Sequence, residues 1–228
     1  MKKILVAGAG GFIAGELAKV LKEQGNKVIA VDKKPLAEWY QITEGVENLV
    51  LDLQYRENCY TAVGGCDEVF NLAADMGGMG FIENNKAMCM MSVLINTHLL
   101  EASKENNISR YFYASSACVY NGDMQTDSNN PGLKESDAYP ALAEDGYGWE
   151  KLFSERMCRH YSEDFGMITR VGRFHNVYGP YGTYDGGREK HRLQCAERLL
   201  KLNLLAKKIL LYGVTESKHV VLCILMMV

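Results

Sequence analysis

No Cys-x-x-Cys pair occurs anywhere in the chain, although it carries seven cysteines. Their irregular spacing excludes a disulfide framework and a cysteine-ligated zinc site, so no metal is expected, and it fits reduced thiols in a cytoplasm. Net charge is small, −3 over 228 residues. That leaves no electrostatic basis for a nucleic-acid partner or an anionic membrane surface. No apolar run reaches the ~20 residues that a spanning helix needs, since "VVLCILMMV" after His219 is far shorter. The opening "MKKILVAGAGGFIAG" has the lysines and apolar start of a secretion signal, but glycines interrupt it. No cleavage site precedes "KEQG" either. Internal repeats and low-complexity linkers are missing. The remaining class is a soluble globular chain, 47% apolar, of one domain, or one domain and part of another.

The first half alternates short β-branched runs with longer helical patterns. "KILVAG", "KVIAVD", "NLVLDL", "DEVFNLAA" and "RYFYASS" read as strands, and "GELAKVLKEQG" as an amphipathic helix closed by Gly25. A long helix is expected from about Glu83 to Asn106 and another from about Tyr147 to Asp164, leading into a sixth strand in "MITRVGRFHNVYG". This alternation predicts an α/β fold, a Rossmann-like doubly wound parallel sheet with helices on both faces.

"VAGAGGFIAGEL" spaces Gly8, Gly11 and Ala14 between the first strand and its helix. Gly8 permits the tight turn, Gly11 lets a pyrophosphate approach the backbone, and Ala14 lets helix and strand pack. The helix start, with Phe12 and Ile13, offers free N–H groups to phosphate. Asp32, ending the second strand, can accept both ribose hydroxyls and repels a 2′-phosphate, which favours NAD over NADP despite Lys33 and Lys34. Asp52 and Leu53 are placed at the adenine, and Ala73 of "NLAA" along the cofactor. A second constellation follows in "YGWEK", where Tyr147 and Lys151 lie one helical turn apart. A phenol with a pKa near ~10 is a poor base at neutral pH, and an adjacent ammonium lowers that value.

Glycine loop, Asp32, Ser116 and Tyr147-x-x-x-Lys151 together resemble the extended short-chain dehydrogenase/reductases of the NAD-dependent epimerase/dehydratase family. The resemblance covers residues 1 to about 190. "NLAADMGGMGFI", "RYFYASSACVY", "LKESDAYP", "YGWEKL" and "GRFHNVYGPYGTYDGGREK" are similar to the branch that epimerises a GDP-hexose. The resemblance implies NAD as cofactor, a nucleotide-sugar substrate, transient oxidation at C4 and proton exchange at C3 and C5. It implies Tyr147 as base, Lys151 as its support, and Cys118 with Lys190 as the pair that exchanges ring protons. A thiol suits that work because its pKa lies near ~8.5. Ser116 would contact O4, Asn176 the sugar or diphosphate, and Glu189 would sit beside Lys190. Gly77 and Gly78 would let a loop close over the hexose. A homodimer through the two long helices is implied as well. His175 reads as structural, and Met76, Met79 and the Met88–Met91 cluster as packing.

A 4-epimerase or a dehydratase of the same family is the alternative, the dehydratase being disfavoured because "SSAC" carries no acidic pair. A non-catalytic NAD-binding fragment is another. After Lys190 the resemblance stops. Leu211–Met227 can be back-translated so that a shifted frame spells IWGDGEQTRSFMYIDD, a run like one the family carries. Residues 191–228 are therefore expected to be out-of-frame translation that was not selected to pack and is poorly ordered or awkwardly docked, leaving the substrate domain largely missing and turnover in doubt.

Overall fold

The structure, a computed structural model, describes residues 1–77, 79–125, 133–175, 177, 181–182 and 224–226. Six parallel strands form its core: β1 (Lys3–Ala7), β2 (Lys27–Asp32), β3 (Glu47–Val50), β4 (Glu68–Asn71), β5 (Arg110–Ser116) and β6 (Ile168–Phe174). A seventh, β7 (Ile224–Met226), runs antiparallel on the β6 edge, and the order is β3-β2-β1-β4-β5-β6-β7. β7 falls in the stretch expected to be out of frame; its apolar run favours strand pairing with β6, but leaves the sheet edge without the charges that natural edge strands carry.

Helices α1 (Phe12–Glu23), α2 (Arg56–Val63), α3 (Met79–Asn84), α4 (Lys86–Met91), α5 (Val93–Glu105) and α6 (Asp145–Phe165) connect the strands. The single helix expected between 83 and 106 is thus two, α4 and α5, meeting at Ser92, with α3 before them. Ser92 has work outside the helix, because its hydroxyl accepts the Asp75 N–H at 2.9 Å.

Strand β1 is buried on both faces, which its unbroken apolar run requires. Ile4 and Val6 join Val28, Ala30, Ala14, Ala18 and Leu21 on one face, so α1 buries one stripe against the sheet. Leu5 and Ala7 face the opposite way, onto Ile29, Val31, Val69 and the Leu99–Leu100 pair of α5. Each valine, leucine or isoleucine among these contributes roughly 1.5–3 kcal/mol by leaving water, and each alanine less. Helix α6 ends at Gly166, whose φ of 68° is the left-handed C-cap that glycine accepts without strain. Met88, Met90 and Met91 correct the packing expectation: each is about half exposed, and Cys89 between them is the residue that packs inward.

Candidate active site

The carboxyl ends of the parallel strands open onto a groove of about 650 Å³. Its first wall is the β1–α1 turn. Gly8 has φ +83°, and a Cβ there would stand 2.8 Å from the Leu72 carbonyl oxygen and 2.9 Å from Ala73 Cα. Only glycine lets the turn approach the β4 loop this closely. Helix α1 then starts at Gly11 with no side-chain cap and no acidic residue in its first turn, so its N-terminal N–H groups are left for an anion. Phe12 and Ile13 line the groove beside them. Asp32 is fixed as an acceptor, with its carboxylate taking the Gly10 N–H at 3.1 Å and the Lys34 N–H at 3.0 Å. Asp52, Leu53, Ala73 and Gly77 complete this half of the groove. The glycine cradle, the uncapped helix start and the oriented carboxylate fit the diphosphate and ribose of NAD.

The other half is built where β5 meets α6. Tyr147 and Lys151 are 5% and 3% exposed, and both line the groove together with Ser116. Burial pushes the Tyr147 phenol well above its usual pKa, with the neighbouring Cys118 and Glu150 adding to the rise and a hydrogen bond from the Ser116 side chain opposing it. The Lys151 ammonium lies 5.5 Å from the Tyr147 ring centroid and 4.8 Å from that of Tyr113. Its counter-charge is Glu150, whose Oε2 faces Nζ at 3.5 Å. Glu150 Oε1 meanwhile accepts from the Tyr113 hydroxyl at 2.9 Å and the Ser154 hydroxyl at 3.1 Å.

Cys118 is half-buried and packs against Tyr147 in a small apolar cluster with Ile82, Cys89, Met76 and Phe81. It sits against the phenol without lining the groove itself. Its backbone is clamped from two sides. The Cys118 N–H donates to Ser116 Oγ at 3.3 Å, and its carbonyl accepts the Glu144 N–H at 2.9 Å, just before α6. Gly148 passes so near that a Cβ there would collide with the Cys118 carbonyl oxygen.

Gly78, Asn176, Glu189 and Lys190 lie outside the described residues. Spacing alone did not point to three further groups. Asp75 binds Lys33 across the groove, the Glu150 network seats Lys151, and behind the strand Arg173 is paired with Glu155, both oxygens engaged at 2.8–2.9 Å. The one available signal was charge placed inside otherwise buried segments: Glu150 and Glu155 on the inner side of α6, and Arg173 within β6.

The model of the NAD dependent epimerase/dehydratase family matches residues 4–219, and the chain belongs to that family. Within it, the chain is 50% identical over 189 residues to the GDP-mannose 3,5-epimerase of Arabidopsis thaliana, covering 82% of this chain and 50% of that protein. An uncharacterised UDP-glucose epimerase of Bacillus subtilis is 29% identical over 222 residues, covering 92% of this chain and 65% of that one. Among solved structures, the UDP-N-acetylglucosamine 4-epimerase of Methanobrevibacter ruminantium superposes with a TM-score of 0.73 at 24% identity, over 88% of this chain and 63% of that one. This last likeness shows the fold. The chain spans about half the length of the GDP-mannose epimerases it matches. Among the described residues no helix is long and apolar enough to cross a membrane.

Proposed function

We propose that this chain carries the cofactor and proton-transfer half of a GDP-mannose 3,5-epimerase. The observation that supports this reading best is Cys118 packed against Tyr147, beside a groove that fits NAD. Bound NAD supplies a hydride acceptor for C4 of the hexose and a positive charge beside the phenol. The protein's own groups do the rest. Tyr147 takes the C4 hydroxyl proton, helped by Ser116, whose side chain already hydrogen-bonds the phenol. Lys151, held against Glu150, sets its ammonium 5.5 Å from the centre of the Tyr147 ring and holds the nicotinamide ribose. A ketone at C4 acidifies the hydrogens at C3 and C5, and Cys118 removes or returns one of them from one ring face. Lys190 serves the opposite face, with Glu189, Asn176, Gly77 and Gly78 around the sugar. A 4-epimerase moves only hydride and leaves a thiol at this place idle.

The test is incubation with GDP-mannose and NAD in D₂O, reading deuterium at C3 and C5 by mass spectrometry. Cys118→Ala should lose ring exchange while keeping NAD binding and C4 oxidation. Exchange that is unchanged in Cys118→Ala overturns the assignment. If residues 191–228 are a shifted frame, turnover returns only when the frame is restored, which sequencing of the locus decides. A homodimer is supported by two adjoining helices, α6 with half-exposed Trp149 and Phe153 and α4 with half-exposed methionines, and sedimentation measures it. The reduced thiols fit a cytoplasmic enzyme.

A further inference from the structure

We propose that Asp75 makes the groove selective for NAD by committing the Lys33 ammonium, which would otherwise receive a 2′-phosphate. The inference rests on the reading above that Asp32 meets the adenosine ribose of a bound dinucleotide. Sites that accept NADP set a basic side chain beside that ribose. Lys33 follows Asp32 directly, lines the same groove, and has a long side chain that is 46% exposed. It is placed to do that job.

Lys33 is instead engaged elsewhere. Its Nζ binds both oxygens of Asp75, at 2.8 Å each, across 42 residues of sequence. Asp75 is fixed in place: its side chain is 7% exposed, its N–H is held by Ser92 at 2.9 Å, and Gln54 reaches its Oδ2 at 3.4 Å. For Lys33 to turn to a phosphate, a buried carboxylate would be left without its counter-charge, which is strongly unfavourable. Lys34 does not substitute, because its ammonium bonds the Gly10 carbonyl at 2.9 Å and sits 4.8 Å from the Tyr40 ring centroid. At its adenosine end the groove therefore presents Asp32, Asp52 and Asp75 with the Lys33 and Lys34 ammoniums, both already partnered. A ribose with two hydroxyls is accepted and one with a phosphate is rejected, and Asp75 enforces this through Lys33.

The experiment is fluorescence titration of the full chain with NADH and with NADPH, which needs no turnover. In Asp75→Asn the side chain keeps its shape and an oxygen for Gln54 but frees Lys33. NADPH should then bind about tenfold more tightly, with NADH changed less than about twofold. The double variant Lys33→Ala/Asp75→Asn should lose the whole gain. Asp75 is overturned as the selector if Asp75→Asn gains no NADPH affinity, or if the gain survives in the double variant. If none of these proteins binds either nucleotide while circular dichroism shows them folded, the cofactor reading itself is overturned and the Asp75 assignment falls with it.

Discussion

Replacing Gly148 by alanine tests how closely α6 must approach the segment that carries Cys118. A methyl group there would overlap the Cys118 carbonyl oxygen and stand 3.2 Å from its carbonyl carbon and 3.3 Å from the Ala143 carbonyl carbon. All three are backbone atoms, so no side chain can turn aside to relieve the contact. Two effects oppose each other. Alanine in place of glycine inside a helix gains about 1 kcal/mol, and overpacking costs about 1–3 kcal/mol. With rigid backbone on the other side the cost falls at the upper end, leaving a net loss of roughly 1–2 kcal/mol. For a chain of this length that lowers Tm by about 2–8 °C. Gly80→Ala is the control, because a Cβ at Gly80 in α3 would meet nothing within 4 Å, and it should leave Tm unchanged or slightly raised. The assay is a thermal melt by circular dichroism on the three proteins, with NADH titration alongside. Gly148→Ala should keep the part of its NADH affinity carried by the untouched β1–α1 turn and Asp32, and lose ring-proton exchange as Tyr147 and Cys118 are displaced from each other. A Gly148→Ala protein that melts at or above the unmodified one refutes the steric reasoning.

Glu155→Gln should be far more damaging than its conservative form suggests. Arg173 is fully buried and bonds both Glu155 oxygens, so losing that charge should cost about 3–5 kcal/mol and lower the urea midpoint by about 2 M. A midpoint shift under about 0.5 M contradicts this. His175 gives a pH test. Burial holds its imidazole below the ordinary value of 6.5, and its Nε2 is buried without a hydrogen-bond partner. As pH falls the unfolded chain takes up that proton first, so stability is full above about pH 6.5 and declines below it. His175→Asn should flatten that decline between about pH 6.5 and 5, measured by urea unfolding at each pH. An unchanged slope would show that other groups carry it.

The parts of the site that were legible in sequence are those whose partners lie close along the chain. Gly8 and Gly11 act within one turn, and Tyr147 and Lys151 one helical turn apart do line one groove. Asp32 needed only its place at the end of β2. Strands β2 and β5 fall on the expected residues, because an apolar run flanked by charge leaves little choice. The division of the 83–106 helix was hidden because what occupies Ser92 is an N–H seventeen residues earlier. Lys33 meets Asp75 across 42 residues and Tyr113 meets Glu150 across 37, and no local periodicity encodes such meetings. Met88, Met90 and Met91 show the converse: their type suggests burial, but their position on α4 leaves them half exposed.

The adjacent serines at the end of β5 show how one strand divides two duties. Both reach the groove lining, but the Ser115 hydroxyl donates to Glu155 at 2.5 Å, in register with Arg173, whereas the Ser116 side chain hydrogen-bonds Tyr147. Neighbouring side chains on a strand point to opposite faces. A mutational library across these two codons should therefore split cleanly, with variants at the first position lost to poor expression and variants at the second accumulating as well-folded but silent protein.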